Sequence, residues 1–252
     1  MKATKDNFST QANEYAKYRP AYPPELYNFL FSLVEDRRTA WDCATGNGQV
    51  AMELSSFFEK VYATDISEQQ LKNAVQKDNI FYSVERAESS SLEDNSIGLV
   101  AVAQAIHWFD FDRFYREVKR VLTPNGVFAI IGYGLLKVNE EVDRIIKDFH
   151  DNIVGPYWDK ERKYIDENYQ TIPFPFEEIA APKIINRYYW TLEDLTGYLD
   201  TWSAVQHYIN AKNENPVEVI KPALKKIWPE GTKQEMRFPI MLRVAKMQKQ
   251  EL

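Results

Sequence analysis

The sequence predicts an α/β fold built on a doubly wound, mostly parallel sheet. Three observations carry that expectation. Short apolar runs alternate with amphipathic stretches of helical period along the first 134 residues. A glycine-rich turn follows the first apolar run directly, as where a buried strand hands over to a helix. Near the end, residues 235–247 alternate apolar and polar side chains and read as a last strand.

Taken in order, residues 8–35 read as two helices broken at Pro20, Pro23 and Pro24, which fix φ and remove backbone donors. TAWDCA (39–44), KVYATD (60–65), NIFYSV (79–84), IGLVAVAQ (97–104) and GVFAIIGYG (126–134) read as strands, apolar enough to be covered on both faces. Between them GQVAMELSSFF, SEQQLKNAVQK and DFDRFYREVKRVL have helical spacing. Ser67 is the expected N-cap of the second of these, with Gln70 at the capping-box position. TPNG (123–126) reads as a turn, its proline ending the helix before it. After the fifth strand the alternation fails. EEVDRIIKDFHDNIV (140–154) reads as a helix, followed by a Pro- and Tyr-rich stretch, an insertion too long for an idle loop and expected to cap the site. Pro239 in the last strand suits an edge position, and NAKNENP (210–216) a solvated linker. One domain of 252 residues is expected: an N-terminal helical segment (1–36), a core (37–134), a cap insertion (135–186) and a C-terminal part completing the sheet (187–252).

Composition narrows the function classes. Thirty-one basic residues stand against 37 acidic ones, net charge −6, with no basic block, so the electrostatic footprint of a nucleic-acid binder is missing. The lone cysteine, Cys43, allows no internal disulfide and reads as core. The first twenty residues carry no apolar h-region, and no apolar run approaches the ~18 residues of a membrane span. The expectation is a cytoplasmic protein without membrane partners. Three histidines without ligand spacing give no metal site, and the oligomeric state is not legible.

WDCATGNGQVA (41–51) poses the chemical question. Gly46-x-Gly48-x-x-Ala51 fits a dinucleotide loop, where glycines let the backbone approach a pyrophosphate. It fits equally a loop holding S-adenosylmethionine, which has no phosphate but an ammonium end and a ribose. Asp42, just before the glycines, is an odd neighbour for a pyrophosphate; it suits the ammonium or orders the loop. Asp65, closing the second strand, can accept ribose hydroxyls of either cofactor. All four loop segments lie at carboxyl ends of strands, where open α/β sheets bind ligands.

YAKYRPAYP (15–23), WDCATGNGQ (41–49), ATDIS (63–67), RAESSSLEDNSIGLV (86–100), AQAIHWF (103–109) and VLTPNGVFAIIGYG (121–134), in this order, resemble the class I S-adenosylmethionine-dependent methyltransferases, in particular small-molecule carboxylate methyltransferases of the trans-aconitate type. The resemblance covers residues 8–134 well and the later chain more loosely. It implies a seven-stranded, mostly parallel Rossmann-like sheet whose last strand runs antiparallel, and S-adenosylmethionine as cofactor. It places Ala44, Gly46 and Gly48 beneath the methionine part, Asp65 on the ribose, Ile66 on adenine, Ala87 and Glu88 at the adenine edge, and the Gln104 backbone at the amino group. Tyr15 and Arg19 would close over the cofactor's carboxylate, where a guanidinium offers a planar fork. The family's first loop glycine is Ala44 here, which costs nothing as long as its φ is negative.

For acceptor chemistry the candidates are His107, as general base or substrate contact, and Trp108 and Tyr133 as pocket walls; each also reads as a packed residue. Trp158, Trp190, Trp202 and Tyr208 read more as core of the cap than as a substrate wall. A carboxylate acceptor is already ionised at neutral pH and needs no base, whereas an amine or phenol would recruit His107. The Asn/Asp-Pro-Pro-Tyr signature of enzymes that methylate adenine or amide nitrogens is absent after strand four, where the chain reads Gln104-Ala-Ile-His. The sequence thus predicts methyl transfer to a small molecule, a carboxylate oxygen being the leading candidate. An NAD-dependent oxidoreductase and a non-catalytic S-adenosylmethionine-binding protein stay open as alternatives.

Overall fold

The computed structural model describes residues 18–248. Among these, strands β1 (Thr39–Cys43), β2 (Lys60–Asp65), β3 (Ile80–Val84), β4 (Ile97–Ala103), β5 (Leu122–Tyr133), β6 (Glu178–Ile179), β7 (Ile185–Trp190) and β8 (Gln234–Lys246) form one sheet. Its order is β3-β2-β1-β4-β5-β8-β6, with β7 also on β8. The first five strands are parallel, and β8 runs antiparallel to β5, β6 and β7. Seven strand positions therefore exist, as expected, but the outermost is shared by two short strands that follow one another along β8.

Helices cover both faces of the sheet because alternate strand residues point to opposite sides. Trp41, Cys43, Val100, Val102, Phe128 and Ile130 pack against α4 (Phe111–Val121). Ala40, Leu99, Ala101, Val127, Ala129 and Ile131 pack against α1 (Pro24–Leu33) and α2 (Gln49–Leu54). Helix α3 (Glu68–Lys72) starts at the expected cap, the Ser67 side chain accepting from the Gln70 amide. Asp110 caps α4 in the same way through the Arg113 amide.

Two expectations need correction. TPNG is not a free turn between helix and strand. Helix α4 passes straight into β5 at Leu122, and residues 123–126 swell out as an irregularity between the Ile97–Leu122 and Leu99–Val127 pairs, with Asn125 left-handed at φ 66°. The β8 neighbour captures this bulge through the Asn125 and Met247 amides, so tertiary pairing overrides the turn chemistry. Pro239 is also not on an edge strand, since β8 has neighbours on both sides. Backbone alternation turns its nitrogen toward β5, into the gap between the Lys137–Arg237 bridge and the Tyr133–Ile240 pair, where no ladder bond is lost.

After β5, helix α5 (Glu140–Asp148) runs into one widened turn, Phe149–Ile153, and short turns lead to α6 (Lys163–Asp166). Beyond β7, α7 (Leu192–Asp200), α8 (Ser203–Lys212) and α9 (Val217–Ile227) follow. Val142, Ile146 and Phe149 share a single core with Leu195, Leu199, Trp202, Val217 and Leu224. That core reaches the sheet through Tyr133 and Phe238. The stretch 210–216 is the end of α8 and its left-handed Asn213 cap, after which the Asn215 side chain accepts from the Val217 amide.

Candidate active site

The loop after β1 is ordered from beneath by Asp42. Its carboxylate is 1% exposed, and Oδ2 accepts from the Thr45 hydroxyl (2.5 Å) and the Ala51 amide (2.9 Å). Oδ1 is buried with no hydrogen-bond partner among the described residues. Burial pushes this carboxyl up to about 7, the two hydrogen bonds opposing that rise only in part. An orphaned, buried carboxylate oxygen at the mouth of a glycine loop suits a cationic ligand group and disfavours a phosphate.

The loop itself is left-handed at three points: Ala44 (φ 57°), Gly46 (φ 57°) and Gly48 (φ 84°). The condition set for Ala44, a negative φ, is not met, because the chain must reverse here between β1 and α2. An alanine carries that conformation at a cost of roughly 1 kcal/mol. At Gly48 a Cβ would also collide with the Tyr82 hydroxyl, whereas at Gly46 it would meet nothing within 4 Å. Buried Ala51 brings α2 close to the sheet.

Asp65 sits at the carboxyl end of β2 with Oδ2 accepting from the Gly46 amide (2.9 Å) and Oδ1 from the Ser67 amide (2.9 Å), tying the first two loops together. Ile66 beside it is 39% exposed, an apolar surface at the rim. Ala87 is buried, while Glu88 accepts from the Asp110 amide (3.1 Å) and lies 3.4 Å from Arg86 Nε. These residues surround the ends of β1, β2 and β3, an arrangement with polar groups and an apolar surface for an adenosine-like ligand. Tyr15 lies outside the described residues.

After β4, Gln104 is another left-handed residue (φ 52°), its amide donating to the Ile131 carbonyl. The chain then makes one turn, Ile106–Trp108, that brings His107 under the cap. His107 is 4% exposed, lies against Trp108 and places Nδ1 3.2 Å from the Tyr169 hydroxyl. Its proton position follows from its neighbours. Gln104 Nε2 donates to the Tyr133 carbonyl (3.2 Å), which can only accept, so Oε1 faces Tyr169. The Tyr169 hydroxyl must then donate to Oε1 (3.3 Å) and accept from His107 Nδ1–H. In the neutral ring the lone pair is left on Nε2. Tyr169 is itself fully buried and left-handed (φ 59°), following left-handed Asn168 (φ 53°). Strained backbone of this kind persists where its surroundings over-determine it.

Arg19 approaches from the other side. Nη2 donates to the Thr201 carbonyl (2.9 Å) and Nη1 to the Tyr133 hydroxyl (3.4 Å), with the guanidinium 5.6 Å from the Tyr198 ring centre. Tyr133 is 4% exposed and packs on Phe238. It stands behind Arg19 and is not among the residues lining the cavity between these elements. That cavity, of about 50 Å³, is lined by Arg19, Gln104, His107, Trp108, Trp158, Asp159, Arg162, Ile165 and Ser203. The cap residues Asp159, Arg162 and Ile165 were not singled out by sequence reading. The one available signal was the charged run DKERK (159–163), flanked by Tyr157 and Trp158 on one side and Tyr164 on the other. Trp202 is core, and Trp190 packs on Phe238, as expected for most of the aromatics; Trp158 reaches the cavity.

Comparison with known proteins adds the following. A family model described as a methyltransferase domain matches residues 41–130. A protein of Dictyostelium discoideum assigned as a methyltransferase is 34% identical over 249 residues, covering 96% of this chain and 95% of its own. The Saccharomyces cerevisiae protein CRG1, named a probable S-adenosylmethionine-dependent methyltransferase, is 26% identical over 66% of this chain and 59% of its own. A solved structure from Anaeromyxobacter dehalogenans, described as a type II methyltransferase, is 35% identical, covers 92% of this chain and all of its own, and superposes with a TM-score of 0.85.

Proposed function

Because this chain belongs to the S-adenosylmethionine-dependent methyltransferase family, with S-adenosylmethionine as its cofactor, we propose that it methylates a small molecule, a carboxylate oxygen being the acceptor. The supporting observation is the cavity under the cap. It is narrow, walled by Trp108 and Trp158, and carries the guanidinium groups of Arg19 and Arg162. Cations of this kind attract and orient an acid. The acidic balance of the chain makes a nucleic-acid acceptor a poor fit.

When bound, the cofactor supplies a methyl group activated by its sulfonium. The chain's own residues bind and align. Asp42 and the loop at Ala44, Gly46 and Gly48 would hold the methionine part, with the orphaned Asp42 Oδ1 matched to a cationic group. Asp65 would take the ribose, Ile66 would cover adenine, Ala87 and Glu88 would border it, and the Gln104 backbone would meet the amino group. Arg19, braced by the Thr201 carbonyl and the Tyr133 hydroxyl, would close on the cofactor's carboxylate. The part of the expected cap insertion (135–186) that lines the cavity, from Trp158 to Ile165, would lie over the acceptor and exclude water, and much of the rate would then come from holding two reactants in line. A carboxylate acceptor arrives ionised and asks for no proton transfer.

One observation favours a second reading. The Gln104–Tyr169–His107 chain leaves the His107 lone pair on Nε2, which suits a general base for a hydroxyl acceptor. A screen of carboxylic acids, phenols and amines, following formation of S-adenosylhomocysteine, tests both readings. Turnover on acids at a rate insensitive to His107→Ala supports the carboxylate; turnover on phenols that is lost in that variant supports the base. Turnover confined to RNA, DNA or protein refutes a small-molecule acceptor. A cytoplasmic protein acting on a small metabolite remains part of this proposal; no helix among the described residues is long and apolar enough to cross a membrane.

A further inference from the structure

Resting on the reading of this cavity as the acceptor site, we propose that Arg162 is a specificity-determining residue that grips an acid group of the acceptor other than the oxygen being methylated. Arg162 closes one short turn of the cap and enters α6. Its side chain is 18% exposed. Nε donates to Asp166 Oδ1 at 2.9 Å, and the guanidinium carbon lies 4.4 Å from the centre of the Trp158 ring. Trp158 is pinned in turn: its indole nitrogen donates to the His150 carbonyl (3.2 Å), and its ring packs 5.5 Å from Trp202. The guanidinium is therefore fixed in plane and direction before anything binds.

Among the described residues, Nε is the only side-chain nitrogen of Arg162 with a protein acceptor. A largely covered cation whose terminal N–H groups border a cavity lacks the partner that such charges normally have. Arg19 differs, because both of its terminal nitrogens already meet protein oxygens. The outer edge of a guanidinium matches a carboxylate bidentately, and preorganisation by Asp166 and Trp158 lowers the entropy cost of that pairing. Asp159 lines the same cavity and repels an acid, so the acceptor's charge is directed to the Arg162 side. The oxygen to be methylated then lies away from Arg162, toward His107 and Trp108. A guanidinium holding both oxygens of the reacting carboxylate would lower its nucleophilicity, whereas one holding a second acid group orients the acceptor without that penalty. The acceptor class is a molecule with an acid at one end and a carboxylate or hydroxyl at the other, fitting between two indole rings.

The test uses the full chain saturated with S-adenosylhomocysteine and two matched pairs of probes, fumarate against crotonate and 4-hydroxybenzoate against phenol. Binding is read by tryptophan fluorescence, and methyl transfer is measured in parallel with S-adenosylmethionine. Fumarate and 4-hydroxybenzoate are expected to bind wild type at least tenfold more tightly than their partners. Arg162→Gln should reduce that preference ten- to hundredfold with the loss in KM, and Arg162→Lys should restore part of it, supplying charge without the fork. S-adenosylhomocysteine affinity of each variant, by calorimetry, separates anchoring from structural damage. A loss of that affinity matching the loss of acid binding overturns the proposal, as do absent acid binding, absent preference in wild type, or a preference that survives Arg162→Gln. Acid preference without methyl transfer to any acceptor leaves the anchor standing and refutes the function proposed above. Methyl transfer to crotonate or phenol without acid preference does the reverse.

Discussion

The buried Asp42 makes a quantitative prediction that needs no acceptor. Burial pushes its carboxyl up to about 7, against an ordinary value of 3.8. At about 1.4 kcal/mol per pH unit, ionised Asp42 costs the cofactor-free fold about 4 kcal/mol. The sign follows from linkage. A group whose folded value is raised gives its stability below the unfolded value, near pH 4, and loses it as pH rises through the folded value, near pH 7. Asp42→Asn keeps an oxygen for the Thr45 hydroxyl and the Ala51 amide and cannot ionise. Urea unfolding of both proteins without cofactor, at intervals from about pH 4 to pH 8, should show wild type losing about 4 kcal/mol relative to the variant, with the change flattening above pH 7. Taking the difference cancels every other titrating group. If the two profiles run parallel to within about 1 kcal/mol, Asp42 is not shifted and the argument from its burial fails. A cationic cofactor should reverse the effect: binding near pH 6 releases most of one proton in wild type and none in Asp42→Asn, read by calorimetry in two buffers of different ionisation heat.

Ala44→Gly should relieve the left-handed strain at φ 57°. The gain in a thermal melt is up to about 1 kcal/mol, because glycine's greater unfolded entropy offsets part of it. Tyr169→Phe should lower turnover of a hydroxyl acceptor ten- to hundredfold and shift its pH profile, with a smaller loss on a carboxylate; equal losses with an unmoved profile would assign Tyr169 to packing alone. Gly132→Ala should destabilise by about 1–3 kcal/mol in urea, since the added Cβ would lie 2.6 Å from Tyr169 Cε2 and 2.9 Å from Met241 Cε.

The parallel core was legible because strands covered on both faces leave an unbroken apolar record: β1 to β4 fall within two residues of their predicted spans. The cofactor loops were legible because their chemistry is local, a turn, a carboxylate and a cap within a few residues. What depended on distant partners was not. The TPNG bulge exists because β8 holds it, and Pro239 is tolerated because of a gap in the ladder opposite. Ala44 read as harmless because its φ is set by the reversal around it and not by its own side chain. Arg162 was one charge in a charged run. Its contacts with Trp158 and Asp166, four residues away on either side, are local, but only the fold brings it to the His107 side of the cavity, which no spacing in the sequence encodes.

The thirteen-residue β8 has a consequence for motion. Its first half pairs with β7 and carries Met236 and Phe238 into the core shared by α5, α7 and α9; its second half pairs with β5, next to the central β4. One continuous strand thus spans both cores, so the helical layer cannot swing away as a rigid body without tearing the sheet. Among the described segments that line the cavity, the turns from Gly155 to Asp166 make no ladder bond to β8 and are the expected route of access. In hydrogen exchange, amides of 234–246 should therefore open only with global unfolding, across both cores at once. Those of 155–166 should open locally, and binding of an acid at Arg162 should slow them.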